Sequence, residues 1–381
     1  MLKNKIYNYF FIQILKNFIT ILLTFAAIAW VVRAVNFLDL MVEDGFASSV
    51  YFQYSLLNIT TIVSRFVPLA FLVSLTISIV KFERQQELVI LWTSGFSKIK
   101  VANIFLLIAF FITLFQLILS LLVNPYLLGS SRFLLNNQKG SQINSILKSN
   151  EFSDSFKGIT FHVDKKENTN ELTNIFIKDV GGNLNTLISE NNKEKNTTVI
   201  AKKGFIPKDK DTLILFDGII QTFNKKNEIQ NVKFEKTELS LNKMSTRTIT
   251  EPKIQETSTV LLFKCIFPKD DNLNLTNCSK DNYKGVVVQN ISRRIGMPLY
   301  VPLVATIISF LLLFKKENKY NFLKKYTLFA ISFAILILSE VLLGSTSIYK
   351  LAAIFYFLFP LSTSCLLYIY LAKNMLSEKV L

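Results

Sequence analysis

Residues 82–97 read FERQQELVILWTSGFS, and this short segment separates two long, nearly uncharged runs at 59–80 and 100–123. Each run is long enough to cross a bilayer, because about 20 apolar helical residues span a hydrocarbon core of about 30 Å. A chain with so short a connection between two such runs must turn at the membrane surface and enter the membrane again. The segment therefore indicates two neighbouring membrane spans.

The composition of the whole chain also indicates a membrane protein. Half of the 381 residues are hydrophobic, 18% are charged and 34 are Phe, unlike an ordinary soluble domain. The formal charge of +16 would favour nucleic-acid binding in a soluble chain. The sequence has no recognisable nucleic-acid fold motif and no platform of aromatic and basic residues, so no nucleic-acid partner is predicted.

Membrane-length apolar runs occur six times along the chain. These predicted spans lie at about 15–37, 59–80, 100–123, 295–314, 326–344 and 351–372. The first run follows basic residues, as a secretory signal does, but it continues past Ala29 to Val35 and is longer than a signal core. It is therefore predicted to be an uncleaved span.

Lys and Arg are distributed unequally between the two sets of short loops, and this asymmetry predicts the orientation. The N-terminus, the connections at 81–100 and 315–325 and the C-terminus carry several Lys, whereas residues 38–57 contain no Lys or Arg. Both termini and the quoted segment are therefore predicted to face the cytoplasm. The long segment from about 125 to 292 is predicted to be periplasmic, since long domains translocate largely regardless of charge.

The periplasmic segment has the pattern of a β domain. Five stretches alternate apolar and polar residues between turns rich in Gly, Asn and Lys. They are GITFHVD (158–164), LTNIFIKDV (172–180), TTVIAKKGFI (197–206), DTLILFDGIIQTF (211–223) and NVKFEKTELSL (231–241). Successive strands of this kind predict an open sandwich or a jelly-roll-like domain.

The predicted fold class is thus a membrane α-helical protein with six transmembrane helices, both termini inside, and an inserted all-β, jelly-roll-like periplasmic domain. The predicted boundaries are 1–124 for the first three spans, 125–292 for the β domain and 293–381 for the last three spans.

The quoted segment is itself predicted to form a short amphipathic helix. It carries residues at i, i+3, i+4 and i+7 spacing: Leu88, Leu91, Trp92 and Gly95. Glu83 and Glu87 lie four residues apart on a shared face, with Arg84 beside them. One interpretation is a helix that rests on lipid headgroups or on its own bundle. The other is a helix that docks into a groove on a cytoplasmic partner, with apolar anchors and with carboxylates that fix its register.

The segment ELVILWTSGFS (87–97), which follows a second span carrying Pro68-Leu69, resembles the cytoplasmic coupling segment of the lipopolysaccharide export permeases LptF and LptG. The resemblance extends over essentially the whole chain in the order of its segments: three spans, a β-rich insert, and three spans beginning RRIGMPLYVPL (293–303). The stretch VVRAVNFLDLMVEDGF (31–46) resembles LptF more than LptG.

This resemblance implies a permease subunit of an ABC-type complex in the inner membrane of a Gram-negative bacterium. Such a subunit pairs with a second, LptG-like permease and with a dimer of an LptB-like cytoplasmic ATPase. Lipopolysaccharide leaves the outer leaflet of the inner membrane and passes to a periplasmic bridge of LptC- and LptA-like β domains. The implied ATPase-coupling residues are Glu83, Arg84, Glu87, Leu88, Leu91, Trp92 and Gly95.

The sequence offers no catalytic chemistry of its own. It lacks a GxxxxGK[ST] segment, so ATP hydrolysis is expected from a partner, and no enzyme activity or cofactor is predicted. The single histidine, His162, lies in an alternating β segment without a nucleophile or ligand set. No catalytic or metal site is predicted.

Four arginines lie near the outer ends of predicted spans, where the charge rule does not expect them: Arg33, Arg65, Arg293 and Arg294. A charge at the centre of a span costs about 2.5 to 3.5 kcal/mol, and less near an interface, so compensating partners are expected. One interpretation is snorkelling or pairing with acidic loop residues such as Asp39. The other is bidentate binding of lipid A phosphates at outer-leaflet depth. The resemblance favours Arg33, because basic residues of the first span contact the lipid in the family.

Two further features are singled out near the outer face. Glu340 lies in the fifth span, and the resemblance implies that this span of one permease and the first span of the other form lateral gates, so Glu340 is either a gate residue or a hydrated carboxylate. Cys265 and Cys278 share one polar periplasmic loop, where an oxidising compartment permits a disulfide. Cys365 is predicted to be a packing residue of the sixth span.

Two other transporter classes are the alternatives. An ion-coupled secondary transporter requires acidic or polar residues near the bilayer midplane and repeated broken helices. The spans provide almost none of these, and Glu340 lies off-centre. A lipoprotein or efflux ABC permease would share the docking segment, but such permeases commonly place one span before their insert.

Overall fold

The structure is a computed structural model, and it describes residues 2–38, 41, 46–137, 149–156, 158–166, 171–180, 184, 196–207, 212–223, 229–240, 253–266, 283–313 and 320–377. The chain divides into two compact units. The membrane unit comprises Met1–Val32, Asn58–Gly129 and Lys253–Leu381, and the sheet unit comprises Arg33–Leu57 and Ser130–Pro252.

Six helices of the described chain are long and apolar enough to cross a membrane, which confirms the six predicted spans. They are Lys5–Phe37, Ser48–Arg84, Lys98–Leu135, Lys284–Leu313, Leu323–Ser345 and Leu351–Ser377. The underlying α-helices are α1 (Leu2–Phe37), α2 (Ser48–Arg84), α3 (Glu87–Thr93), α4 (Lys98–Ile118), α5 (Asn124–Asn137), α6 (Thr259–Ile266), α7 (Tyr283–Ile291), α8 (Tyr300–Ser309), α9 (Tyr320–Ser345) and α10 (Lys350–Ser377).

The third and fourth spans contain irregular helical turns. A π-helical turn at Leu119–Val123 joins α4 to α5. A second π-helical turn at Ser292–Gly296 and a 3-10 turn at Met297–Leu299 join α7 to α8. Pro298 accounts for part of this irregularity, because proline has no N–H to donate within a helix and its ring crowds the preceding turn.

The core of the membrane unit lies around the fourth span. In the most apolar 18-residue stretch of that span, 78% is buried. The corresponding stretches of the first and sixth spans are 17% and 11% buried. Phe71 of α2, Phe105 of α4 and Val304 of α8 are fully buried in this core. The first, fifth and sixth spans therefore present most of their apolar side chains outward, as helices that face lipid or other helices do.

The sheet unit contains one six-stranded antiparallel sheet in the order β1-β2-β3-β4-β5-β6. Its strands are β1 (Phe152–Phe156), β2 (Ile159–Lys166), β3 (Glu171–Asp179), β4 (Thr197–Phe205), β5 (Thr212–Phe223) and β6 (Ile229–Ser240). The five predicted strands correspond to β2–β6, so the inserted β domain is confirmed. Each described strand pairs with the next one in the chain, and the jelly-roll-like description is supported as far as this antiparallel sheet.

One face of the sheet is packed and fixes its register. Phe161, Ile177, Val199 and Ile220 pair across β2, β3, β4 and β5, and all four are buried. A slip of one residue would turn this row to the opposite face, so burial selects the register. The alternation seen in the sequence thus marks the core side of each strand.

Gly218 of β5 is predicted to be intolerant of a side chain. It lies between Ala201 and Phe234 in the sheet, and a Cβ at this position would lie 2.5 Å from the carbonyl oxygen of Ile200 and 2.3 Å from the ring of Phe234. The backbone oxygen cannot move without breaking the ladder, so we expect Gly218→Ala to destabilise the sheet unit by about 2 kcal/mol. Hydrogen exchange of the amides in β4, β5 and β6 should become faster.

Gly129→Ala is the matched control, because a Cβ at this helical position meets nothing within 4 Å. Alanine is favoured over glycine inside a helix, so this control should leave the protein as stable as before or slightly more stable. Equal exchange rates in the two variants would show that Gly218 is not sterically constrained.

Candidate functional site

Residues 82–97, here called the coupling segment, contain the short helix α3 between two sharp turns. Gln86, at the start, has a φ of 60°, and Gly95, after the end, has a φ of 82°. The N–H groups of Ser94, Gly95 and Phe96 donate to carbonyls of the last helical turn. Glycine adopts this left-handed conformation without steric cost, so Gly95 ends the helix and redirects the chain into α4.

The helix α3 turns part of its apolar face inward. Leu88 is 6% exposed, and Leu91 and Trp92 pack against the core of the membrane unit. Val89 and Ile90 face outward, with 45% and 63% of their surface exposed. The outward apolar surface of α3 is therefore carried by Val89 and Ile90, while the residues singled out by their spacing hold the helix on the bundle.

Side-chain contacts tie the coupling segment to two other spans. The Tyr9 hydroxyl, in α1, donates a hydrogen bond of 2.9 Å to Glu87 Oε1. Glu83, at the end of α2, forms an ion pair with Lys325 of α9, and both side chains are about three-quarters buried. The carboxylates of the segment thus connect the first, second and fifth spans, whereas Arg84 is exposed.

A shallow groove runs beside α3. Its walls are almost entirely apolar and come from the first helix and the coupling segment: Lys5, Ile6, Tyr9, Phe10, Glu87, Ile90 and Leu91. Ile90 is the most exposed of its large apolar side chains. Basic residues surround this end of the membrane unit, here called the lysine-rich end: Lys81, Arg84, Lys98, Lys100 and Lys325.

The opposite end of the membrane unit, here called the arginine end, contains a polar cavity. The second to fifth spans line it with Arg65, Gln116, Asn124, Arg293 and Glu340 among others. Arg65 lies 18 residues before Glu83 in α2, about 27 Å along the helix at 1.5 Å per residue. The cavity is therefore most of a bilayer thickness away from the lysine-rich end.

Arg293 and Glu340 form an ion pair across the cavity. Arg293 Nη2 lies 3.1 Å from Glu340 Oε2, and the two side chains are 36% and 42% exposed. An exposed pair of this kind adds little stability in water, where its median contribution is about 0 to 1 kcal/mol. Glu340 is the residue predicted for the gate, and its pair with Arg293 joins the fifth span to the fourth.

Arg294 also lines the cavity, and its side chain makes a structural contact. Its guanidinium donates to Thr259 Oγ1 at 2.8 Å and to the carbonyls of Gln255 and Thr257 at 3.0 Å. The side chain is only 7% exposed. It therefore braces the segment that leads into α6, a role that its position in the sequence did not reveal.

The backbone carbonyl of Arg294 also accepts a hydrogen bond from another span. Pro298 lacks the N–H that would bond to the Arg294 carbonyl in a regular helix. Ser120 replaces this donor, because its hydroxyl donates to the Arg294 carbonyl at 2.7 Å. A serine of the third span thus completes a turn of the fourth.

The four predicted arginines do not form one set. Arg65, Arg293 and Arg294 line the cavity of the membrane unit. Arg33 belongs to the sheet unit, is half-buried near the end of α1, and makes no hydrogen bond or ion pair within the described residues.

Several polar residues of both ends were missed by sequence reasoning. Tyr9 and Lys325 looked like ordinary residues of span ends. Gln116, Ser120 and Asn124 recur every four residues in an otherwise apolar span, and all three line the cavity. That spacing places them on one helix face, so periodicity of polar residues was the available signal.

Among the described residues, no site is assembled around His162. His162 lies in β2, where its ring is 4.5 Å from that of Phe152. Among the described residues, no group of three or more His, Cys, Asp or Glu side chains is placed to hold a metal ion. Cys278 and Asp39 lie outside the described residues, so the disulfide with Cys265 and the pairing with the acidic loop stay predictions.

Comparison with known proteins gives one family. The family model described as lipopolysaccharide export system permease LptF/LptG matches residues 8–374, which is nearly the whole chain. No curated protein sequence matches this chain.

Proposed function

This chain belongs to the LptF/LptG family of lipopolysaccharide export permeases, and on that premise we propose that it is the LptF-like permease of an ABC-type complex in the inner membrane. A separate cytoplasmic ATPase dimer drives the complex, and an LptG-like permease completes the membrane part. The complex takes lipopolysaccharide from the outer leaflet and passes it through the periplasmic sheet unit to LptC- and LptA-like bridge proteins. The lysine-rich end then faces the cytoplasm, in agreement with the charge asymmetry of the loops.

The coupling segment carries this proposal. Its outward residues Val89 and Ile90 offer apolar anchors to a partner, and Glu87 beside them is held by Tyr9. An apolar helix face that enters a hydrophobic groove is a common recognition mode. Since the Glu83–Lys325 pair links the segment to the fifth span, movement of a docked ATPase would reach that helix directly.

The exposed spans support the partnership with a second permease. The most apolar 18-residue stretches of the first and fifth spans are only 17% and 22% buried within this chain. Each acyl CH₂ group drawn into water costs about 0.8 kcal/mol, so a lipid with several long chains must stay covered during transfer. A cavity between two permeases with such apolar faces would keep the chains covered.

Arg33 is the residue that we propose for contact with lipid A phosphates. Arg294 is engaged with Thr259 and nearby carbonyls, and Arg293 is paired with Glu340. Arg33 has no such partner among the described residues, and a guanidinium binds phosphate bidentately. Glu340 is proposed to contribute to the gate through its pair with Arg293.

The family match favours lipopolysaccharide over the lipoprotein and efflux alternatives. The ion-coupled alternative would place its acidic residue near the midplane, whereas Glu340 lies 15 residues after Lys325, about 22 Å along the helix from the lysine-rich end. At that depth Glu340 lies in the outer half of a bilayer core of about 30 Å, roughly 7 Å beyond its midplane, and it is paired with Arg293.

Purification of the full chain from its native membrane in mild detergent tests the proposal. We expect mass spectrometry of the purified material to find an ATPase, a second permease of similar sequence and lipopolysaccharide. A chain that is recovered alone, and that moves a substrate when only an ion gradient is supplied, would support the secondary transporter instead.

A further inference from the structure

The polar cavity at the arginine end adjoins an apolar groove, and together they have the form of a lipid site. The groove lies between the second and fifth spans and is lined by apolar side chains such as Phe66, Leu69, Phe333 and Ile337. The cavity and the groove share three lining residues: Arg65, Met297 and Glu340. A charged head in the cavity would therefore continue into an apolar tail in the groove.

Two side-chain amides present unpartnered acceptors at the cavity. Gln116 is 2% exposed, and its Nε2 donates to the carbonyl oxygen of Ser64 at 3.1 Å. Because a backbone carbonyl only accepts, this bond fixes the orientation of the amide. Gln116 Oε1 is buried and has no hydrogen-bond partner among the described residues. An unsatisfied buried acceptor costs about 1 to 3 kcal/mol, so a donor on a ligand would restore this loss.

Asn124, eight residues further along the third span, repeats the arrangement. Its Nδ2 donates to Ser64 Oγ at 2.8 Å, and the Ser64 hydroxyl itself donates to the carbonyl of Thr61 at 3.1 Å. The hydroxyl proton is used in that second bond, so the amide of Asn124 must donate and its oxygen is left over. Asn124 Oδ1 is likewise buried and unpartnered within the described chain.

The charges of the cavity select a head of mixed charge. Arg65 and Arg293 provide two cations, while Glu340 provides an anion only 3.1 Å from Arg293. A head with phosphate alone would draw Arg293 towards the phosphate and leave the Glu340 carboxylate without its cation. A head with phosphate and an ammonium group would replace the internal pair by two pairs, phosphate with Arg293 and ammonium with Glu340, and would leave the net charge of the cavity unchanged.

We propose that the cavity and groove bind a glycerophospholipid with a phosphoethanolamine headgroup. Its phosphate contacts Arg65 and Arg293, its ammonium donates to Glu340 and to the amide oxygens of Gln116 and Asn124, and an acyl chain lies in the groove. The site is complete within one chain, and it is independent of which lipid the chain exports.

Native mass spectrometry of the purified full chain tests this site with two added lipids of identical acyl chains. One is phosphatidylethanolamine, and the other is phosphatidylglycerol, which has the phosphate without the ammonium. We expect the wild type to prefer phosphatidylethanolamine by about tenfold. Glu340→Gln should remove the preference, since it removes the ammonium partner and frees Arg293 for phosphate.

Two variants control for folding and for total charge. Glu340→Asp keeps the carboxylate and should keep the preference, and Glu171→Gln removes a carboxylate of the sheet unit and should change nothing. Equal binding of both lipids by the wild type would overturn the proposal. Displacement of phosphatidylethanolamine by stoichiometric lipopolysaccharide in the wild type, with an undiminished preference in Glu340→Gln, would also overturn it and assign the cavity to the exported lipid.

Discussion

Arg294→Met is expected to destabilise the membrane unit by about 4 kcal/mol or more. The change leaves the Thr259 hydroxyl and the carbonyls of Gln255 and Thr257 without their buried donor. Hydrogen bonds to charged groups contribute about 1.5 to 3 kcal/mol each, and an acceptor left unsatisfied in the interior costs a similar amount. Thermal unfolding in detergent should therefore begin roughly 5 to 10 °C lower than for the wild type.

Two neighbouring variants show whether geometry or charge is responsible. Arg294→Lys keeps the charge but not the planar fork of donors, so it should recover less than half of the loss. Arg293→Met removes a guanidinium whose ion pair is exposed, and it should change the stability by less than about 1 kcal/mol. If Arg293→Met were as damaging as Arg294→Met, the bracing role of Arg294 would be wrong.

Ile90→Asp is expected to abolish recovery of the ATPase with this chain while leaving the membrane unit folded. Ile90 is 63% exposed, so the new carboxylate stays hydrated in the free chain. In a docked helix it would be buried in an apolar groove, where an unpaired charge is strongly unfavourable. The amount of ATPase purified per permease should fall more than about tenfold, since about 1.4 kcal/mol already gives that factor.

Leu88→Asp provides the contrasting variant. Leu88 is 6% exposed and belongs to the core, so a charge there should destabilise the fold itself. Ile90→Leu keeps the apolar anchor and should keep the ATPase. Full recovery of the ATPase with Ile90→Asp would mean that α3 is not the docking helix.

Much of the fold follows from periodicity, because the bilayer and the sheet each impose one pattern. Long apolar runs predict spans, and alternation predicted β2–β6. The strand β1 reads FSDSF over its whole length, with one polar residue at a position where the alternation requires an apolar one, and it was missed. The π-helical turn at Ser292–Gly296 depends on a serine of another span that replaces a lost donor, so local sequence did not show it.

The candidate sites were less accessible to sequence reasoning, since it identifies a helix face but not what covers the face. The spacing of Leu88, Leu91 and Trp92 is typical of either docking or internal packing, and the structure uses these residues for packing. The Glu83–Lys325 pair joins residues 242 positions apart, which no local pattern reveals. Arg293 and Arg294 are neighbours in the sequence, and only the structure shows that the Arg294 side chain is buried while that of Arg293 reaches Glu340.

ATP-dependent transfer of lipopolysaccharide from proteoliposomes tests the central claim most directly. The vesicles would contain this chain, the second permease and the ATPase, with a soluble β-domain bridge protein outside as the acceptor. We predict that lipopolysaccharide reaches the acceptor only when ATP is supplied to the ATPase, and that Ile90→Asp in this chain stops the transfer. Transfer that proceeds without ATP, or that is driven by an ion gradient and is unaffected by Ile90→Asp, would contradict the account.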